Sequence, residues 1–304
     1  MEINVIKLSV NAVIAVLLGV NASYAGESAL ETLSAAASPS VLSAMALPEV
    51  PKGYIGSNGA QGVPVEWVTI TGGKYIMGTN DEGTALSSAK PAHEVAVRTF
   101  EMSKTLVTVE QYAECVTRGQ CKKTRSAYYC NWGVEGRQKH PINCVSWEQA
   151  NQYAKFKGAR LPSESEWEYA ATSGGKDQRY PWGNEAATCE RAVMPGPGGS
   201  GCGNNSTMPV CSKPAGNTAQ GLCDMSGNAF QWVQDRFRNS YKGAPVDGSA
   251  FEAGSELSFH GRYRVARGGS YRYEDPGFLR ADARYHYDNN PTAIYGDFGI
   301  RLAR

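Results

Sequence analysis

A segment near the carboxyl end of the chain carries side chains suited to proton transfer. Tyr273 is followed directly by Glu274 and Asp275, so a phenol and two carboxylates are consecutive. A carboxylate can act as a general base, and a phenol can donate a proton or a hydrogen bond. We therefore predict that Tyr273 and Glu274 are catalytic residues, with Glu274 or Asp275 as the general base.

Basic side chains follow in the next part of the sequence, namely Arg280, Arg284 and His286. Such groups can bind an anionic substrate group or stabilise negative charge that develops during a reaction. Arg284 and His286 are therefore predicted to be catalytic, in a cleft that follows Ser270. An alternative is that the two arginines form an ion-pair lattice with Asp282 on the surface. The predicted substrate-binding residues are Ser270, Asp275 and Arg280.

The cysteine content indicates disulfides rather than a metal site. An even number of cysteines in a chain with an export signal is typical of proteins that fold in an oxidising compartment. Pairing in sequence order is favoured, because each bond would then close one local loop. Zinc is the competing interpretation, but no C-x-x-C pair is present and the four histidines are scattered. The eight cysteines are Cys115, Cys121, Cys130, Cys144, Cys189, Cys202, Cys211 and Cys223.

The first 25 residues predict a signal peptide. Lys7 precedes an apolar run over residues 8–20, and Ser23-Tyr24-Ala25 resembles a cleavage site. The run is shorter than the ~20 residues that span a bilayer, although an uncleaved anchor helix is the alternative. Residues 26–64 are rich in Ala, Ser, Gly and Pro and predict a flexible linker. A folded domain is expected over residues 65–304, in the periplasm or outside the cell, with no transmembrane anchor after cleavage.

The charge balance excludes one class of partner. Thirty basic and 29 acidic side chains give a formal charge of +1. A nucleic-acid-binding protein needs a surplus of lysine and arginine to displace counterions from phosphates. We therefore expect no nucleic-acid partner.

Three capping boxes predict the helices that must position the site. They begin at Thr108, Ser146 and Ser163, each followed three residues later by Gln or Glu. Strands are predicted over residues 66–70 and 74–77, joined by a hairpin turn at Gly72-Gly73, and over residues 298–302. From residue 181 to 223 the pattern is not periodic, which indicates a long irregular stretch held by cross-links.

Several segments resemble the blocks of the formylglycine-generating enzyme, or sulfatase-modifying factor, superfamily. The blocks occur in the family's order and cover nearly all of the predicted domain. The resemblance implies a single α+β domain with little regular secondary structure, a variant of the C-type-lectin-like fold. The matching segments are R-L-P-S-E-S-E-W-E-Y-A-A at 160–171, Y-P-W-G-N at 180–184, G-L-C-D-M-S-G-N-A-F-Q-W at 221–232, R-G-G-S-Y at 267–271 and F-G-I-R at 298–301.

The resemblance also bears on chemistry. In the family's founding reaction, two thiolates just after the R-G-G-S block hold copper, and a substrate cysteine is oxidised to formylglycine. Soft thiolates are the ligands that Cu(I) requires. Here Tyr273 falls at the first thiolate position and the second falls near Phe278, while no cysteine follows Cys223. We therefore expect no copper and no formylglycine generation.

The resemblance also brings two other metals into consideration, iron and calcium. Some branches hold iron through histidines on an added helical bundle, for which this chain has no room. The family often binds calcium near the G-N-x-W-E-W block, through oxygen ligands. The candidate site is one for structural calcium, although Phe230-Gln231 replaces the Trp-Glu of the pattern, and a neutral amide attracts a divalent cation less than a carboxylate does. The candidate ligands are Asp224, Asn228 and Asp235.

Two functions remain open at this point. Exported members without the thiolate pair include the oxidoreductase that completes the siderophore pyoverdine, and the chain resembles that branch. This implies an oxidoreductase-like enzyme that modifies a peptide or small metabolite. The alternative is a non-catalytic module of the cell envelope that uses a lectin-like scaffold to bind a protein, glycan or peptide.

Overall fold

The computed structural model describes residues 62–252, 263–288 and 296–304. The predicted signal peptide, over residues 1–25, lies outside the described residues, and so does the predicted linker up to residue 61. Within the described ranges, no helix is both long and apolar enough to cross a bilayer.

The described residues form three short α-helices and eight β-strands. The helices are α1 (Val109–Thr117), α2 (Trp147–Phe156) and α3 (Glu164–Ala171). The strands are β1 (Trp67–Ile70), β2 (Gly73–Met77), β3 (His93–Val97), β4 (Phe100–Ser103), β5 (Phe230–Arg236), β6 (Tyr263–Arg267), β7 (Tyr285–Asp288) and β8 (Phe298–Gly299). This α+β content with little regular structure is the predicted fold class.

All three predicted capping boxes are present. At α3, the Ser163 hydroxyl accepts from the backbone N–H of Glu166, and the Glu166 carboxylate accepts from the backbone N–H of Ser163. The same reciprocal pair of bonds begins α1 at Thr108 and α2 at Ser146. Each box satisfies amide groups that have no partner within the first helical turn. The start of each helix is therefore encoded locally.

The predicted hairpin at Gly72-Gly73 is wrong. β1 pairs with β4 and β2 pairs with β3, in one common register that sets Trp67 opposite Ser103 and Gly73 opposite Val97. β1 and β2 thus form one arm of a long ribbon, and Gly72 lies at the break between the two pairings. A Cβ atom at Gly72 would lie 2.4 Å from the carbonyl oxygen of Val97. The glycine permits close approach of the two arms rather than a reversal of the chain.

The carboxyl-terminal half builds a four-stranded sheet in the order β7-β6-β5-β8. β5 and β6 pair antiparallel, β6 and β7 pair antiparallel, and β5 and β8 pair parallel. Trp232 on β5 and Trp167 on α3 are both fully buried in the core. Trp182, a third tryptophan of the family's blocks, is instead half-buried and stacks on Tyr180 at a ring-centroid distance of 4.9 Å.

The cysteines form four disulfides in sequence order, which is the predicted pairing. They join Cys115 to Cys121, Cys130 to Cys144, Cys189 to Cys202, and Cys211 to Cys223. Two of these bonds hold the stretch from 181 to 223, whose regular elements are two 3-10 turns, Ser200–Gly203 and Pro214–Gly216. Disulfides, rather than the hydrogen bonds of helices and strands, therefore constrain most of this part of the chain.

Candidate functional site

A cleft of about 570 Å³ opens where β7, β8 and the segment after β6 meet. Three of the residues predicted from sequence line it, namely Tyr273, Glu274 and Asp275. The complete described lining is Arg272, Tyr273, Glu274, Asp275, Tyr285, Tyr287, Asp297 and Phe298.

The turn after β6 directs this segment away from the sheet. Gly268 has a φ of 93°, and a Cβ there would lie 2.8 Å from the carbonyl oxygen of Met225. Only glycine fits such a position without strain. Two residues later, the buried Ser270 hydroxyl lies 3.4 Å from an oxygen of Asp297, which ties the segment to the residue before β8. Ser270 therefore holds Asp297 and the segment after β6 together. It is not one of the described residues that line the cleft.

The charged side chains around the cleft differ in whether they have hydrogen-bond or ion-pair partners. Arg272 lies 3.3 Å from the carboxylate of Asp297. Asp275 accepts a hydrogen bond from the backbone N–H of Gly277 and so caps a 3-10 turn, Pro276–Leu279. Glu274 is exposed and makes no hydrogen bond or ion pair within the described part of the chain. Its carboxylate is the one of the three that is free to meet a ligand.

Aromatic rings form the remaining wall. The Tyr273 and Tyr285 ring centroids are 5.0 Å apart, and those of Tyr287 and Phe298 are 5.3 Å apart. Burial raises the pKa of Tyr285, and its hydrogen bond with Tyr273 raises it further. The two hydroxyls therefore form one hydrogen-bonded pair in the wall of the cleft.

Arg284 does not join this cleft, which corrects the prediction from sequence. Its guanidinium is buried and donates to both carboxylate oxygens of Glu164, at 2.7 and 2.9 Å. It also donates to the carbonyl oxygens of Ser88 and Arg238. Burial alone would raise the pKa of Glu164, but Arg284 and Arg267 outweigh it and hold that pKa below its usual value. Arg284 is therefore part of the ionic core.

His286 also lies apart from the cleft. Successive side chains of a strand point to opposite faces, so Tyr285 and Tyr287 face the cleft while His286 faces away. Its ring stacks on Phe237 at a centroid distance of 3.8 Å and meets the edge of Tyr263. The aromatic stacking corrects the prediction that His286 acts beside Glu274.

Arg280 forms the ion pair with Asp282 that the alternative interpretation predicts. It lies within 2.6 Å of a carboxylate oxygen of Asp282 and within 3.1 Å of one of Asp81. These hydrogen bonds, led by the one to Asp282, raise the pKa of Arg280 and keep it charged. The ion-pair lattice is present for Arg280 and Asp282, while Arg284 pairs in the core. Arg280 is not among the described residues that line the cleft, and its contact with substrate stays a prediction.

Comparison with known proteins gives the family directly. Residues 55–304 match the sulfatase-modifying factor enzyme 1-like domain. The chain belongs to the sulfatase-modifying factor family.

The relatives of this chain differ in length. The formylglycine-generating enzyme of Streptomyces coelicolor is 29% identical, over 78% of this chain and 88% of that protein. The serine/threonine-protein kinase Pkn1 of Chlamydia trachomatis is 32% identical over 79% of this chain, but the match spans only 38% of its own length. The structure of PvdO from Pseudomonas aeruginosa superposes with a TM-score of 0.65 at 28% identity, and covers 78% of this chain and 93% of PvdO. A relation to C-type lectins stays a prediction.

The copper chemistry of the sulfatase-modifying factor family requires two thiolates, and the residues here do not supply them. The sequence has eight cysteines, and all eight are paired in disulfides. At the two positions where the resemblance places thiolates, the rings of Tyr273 and Phe278 meet edge-on at 5.1 Å. Both also contact Phe230. An aromatic cluster therefore occupies the expected place of the soft ligands.

The three candidate calcium ligands hold backbone segments. Asp224 accepts from the N–H of Cys211 at 2.8 Å, and Asn228 both accepts from and donates to the backbone of Met208. Asp235 accepts from the N–H groups of Glu164 and Phe251, both at 2.7 Å, and so supports the start of α3. Within the described ranges, no group of three or more His, Cys, Asp or Glu side chains is placed to hold a metal. Calcium binding stays a prediction.

Gln231, which replaces the acid of the family's block, has a role that the sequence did not reveal. It is fully buried, and its oxygen accepts from Trp167 Nε1 at 2.8 Å and from Arg301 Nε at 2.7 Å. Its Nε2 donates to the carbonyl oxygen of Asp224. The neutral amide thus joins three blocks of the family's sequence pattern inside the core.

Sequence reasoning also missed five of the cleft residues. The alternation Tyr285-His286-Tyr287 was a usable signal, because two tyrosines spaced by two share one face of a strand. Asp297 and Phe298 lie at the start of the terminal strand and offered no comparable pattern. The missed lining residues are Arg272, Tyr285, Tyr287, Asp297 and Phe298.

Proposed function

We propose that this protein is an exported member of the sulfatase-modifying factor family that modifies a peptide or small metabolite without thiolate-bound copper. The observation that carries the proposal is the pairing of all eight cysteines while phenols and carboxylates remain in the cleft. Formylglycine generation by the family's copper reaction is thereby unsupported by the residues present.

Export is supported by two independent features. The signal-peptide pattern in residues 1–25 predicts secretion, and four disulfides suit an oxidising compartment. The periplasm or the outside of the cell is therefore the proposed location.

The proposed chemistry rests on Glu274 and Tyr273. Glu274 has a free, exposed carboxylate that can accept a proton from a bound substrate, and Tyr273 can donate a hydrogen bond to the same molecule. We assign the reaction class as oxidation, because one relative, 29% identical over 75% of this chain, is the hercynine oxygenase of Mycobacterium tuberculosis. In such a step the substrate loses two hydrogens: Glu274 takes one as a proton, and an external hydride acceptor takes the other together with the electron pair.

The test uses the full chain and a pool of small metabolites and short peptides from the producing cell's envelope. Mass spectrometry should show a substrate whose mass changes with the wild-type protein and does not change with Glu274→Gln. The matched control is Glu185→Gln, which removes another largely exposed carboxylate and should leave the reaction intact. Equal turnover by Glu274→Gln and wild type would reject Glu274 as the base.

A second candidate function is supported by the position of two predicted catalytic residues. Arg284 is buried in the core and the half-buried His286 stacks on Phe237, so neither of these two groups, expected to stabilise charge, lines the cleft. A binding module of the cell envelope needs no such groups. Retention of a ligand from the same pool with no change in its mass would favour this function over the enzyme.

A further inference from the structure

A second groove lies far from the cleft in sequence, beside the start of α2. It has a volume of about 580 Å³. Its lining includes four basic side chains, Lys122, Lys123, Arg125 and Lys155. Glu148 is the one carboxylate among the described lining residues. A concave surface lined by one sign of charge concentrates ligands of the opposite sign.

The loop that carries three of these cations, residues 122–129, is held at both ends. Cys121 immediately before it is bonded to Cys115, and Cys130 immediately after it is bonded to Cys144. The chain between these bonds therefore starts and finishes at fixed points.

The backbone of the same loop is also fixed against both neighbouring helices. The Tyr112 hydroxyl of α1 donates to the carbonyl oxygen of Lys122 at 2.9 Å. Gln149 Nε2 of α2 donates to the carbonyl oxygen of Lys123 at 3.4 Å. Thr124 is buried between the exposed side chains of Lys123 and Arg125. The backbone that carries these cations is thus held in place, which lowers the backbone entropy lost when they bind a ligand.

These cations lack the carboxylate partners that several other lysines have. Lys74 pairs with Glu94, and Lys157 pairs with Glu114 at 2.7 Å. Across the described residues, none of the four basic residues of the groove makes an ion pair. The excess is local, since the formal charge of the whole chain is only +1. Like charges gathered without partners repel one another, so an anionic ligand would relieve a cost already present in the fold.

We propose that this groove binds an acidic oligosaccharide that carries carboxylate or sulfate groups. The proposal does not depend on the reaction proposed for the cleft.

The uncharged part of the lining distinguishes a glycan from other anions. Trp147 is fixed by a 2.7 Å hydrogen bond from Nε1 to the carbonyl oxygen of Val233 and by the Arg264 guanidinium, 3.7 Å from its ring centre. An aromatic ring with an electron-rich face packs against the C–H groups of a sugar. Asn151 and Gln152 add amides that can hydrogen-bond to hydroxyl groups. A concave groove also encloses a chain better than it fits a flat bilayer.

The experiment measures binding of two fluorescent probes to the full chain, a heparin oligosaccharide and an oligogalacturonate, by anisotropy. Lys122→Glu/Lys123→Glu should weaken binding by at least about tenfold, because it reverses two charges in the groove. The control Lys176→Glu/Lys242→Glu makes the same change in net charge at two exposed lysines away from the groove, and should weaken binding by less than about twofold. If the first variant does not fold, Lys155→Glu on α2 replaces it.

Three results would overturn the proposal. The first is that the wild-type protein binds neither glycan at low salt. The second is that the control variant loses as much affinity as the groove variant, which would indicate attraction to net charge alone. The third is that a single-stranded oligonucleotide of equal charge, or a vesicle of anionic lipid, binds more tightly than either glycan.

Discussion

Arg284 and Arg267 bring two guanidinium groups into the interior beside two glutamates of α3. Arg284 forms a double hydrogen bond with Glu164, and Arg267 pairs with Glu168 and lies 3.3 Å from Glu164. Desolvating such ions costs several kcal/mol, which their mutual attraction and hydrogen bonds offset. Loss of one partner leaves an uncompensated charge in the core, so single substitutions here should be severe.

Arg284→Ala is accordingly expected to lower the free energy of unfolding by about 3–5 kcal/mol. Urea denaturation followed by circular dichroism measures the change. The matched control is Arg280→Ala, which breaks ion pairs with Asp282 and the half-exposed Asp81 and should cost only ~1 kcal/mol. A well-folded Arg284→Ala protein of wild-type stability would restore Arg284 as a candidate for a functional role.

At the scale of elements, the disulfides decide how rigid the long loops are. The Cys130–Cys144 bond fixes one end of the basic loop, and the Cys189–Cys202 bond closes a loop of nearly equal length in another part of the chain. The two bonds span 14 and 13 residues, so the chain-entropy model assigns them similar stabilisation, ~3 kcal/mol each. Their effects on the groove should nevertheless differ.

Cys130→Ala/Cys144→Ala should reduce both stability and affinity for the acidic glycan probes, because the loop of residues 122–129 loses one fixed end. Cys189→Ala/Cys202→Ala should reduce stability by a similar amount and leave glycan affinity unchanged. Calorimetry of unfolding and probe anisotropy on the same samples check both statements. Equal affinity in the two variants would show that the loop holds its position without the cross-link.

At the scale of the whole molecule, the partial burial of His140 makes the stability of the fold depend on pH. His140 joins its loop to the irregular stretch of residues 181–223 through a 2.9 Å contact between Nδ1 and the Thr207 hydroxyl. Burial, aided by the positive charge of Arg137, lowers the pKa of His140 to about 4. In the unfolded chain the same histidine titrates near pH 6.5. The unfolded state therefore takes up the proton first as the pH falls.

The stability that His140 contributes is present above about pH 6.5 and is lost as the pH falls toward 4. Since the side chain is partly exposed, the loss should be of order 1–2 kcal/mol after solvent screening is considered. Urea unfolding at several pH values should show a steeper acid loss for the wild type than for His140→Gln. Parallel curves for the two proteins would assign the acid sensitivity to other groups.

The sequence by itself determined the features that depend on near neighbours. The three helix starts follow from capping pairs three residues apart, and each disulfide joins cysteines 6 to 14 residues apart. Short-range interactions of this kind form with little loss of chain entropy and depend little on the rest of the fold. The family was also recognisable, because its blocks keep their order along the chain.

Only the tertiary structure decided which residues share a site. The partners Arg284 and Glu164 are 120 positions apart, and the ribbon that replaced the predicted hairpin pairs Trp67 with Ser103. Strand β7 sends His286 to one face and its tyrosine neighbours to the other, a choice that depends on register with β6. Such long-range contacts form only when the core closes, because their entropy cost is met by burial of many groups together.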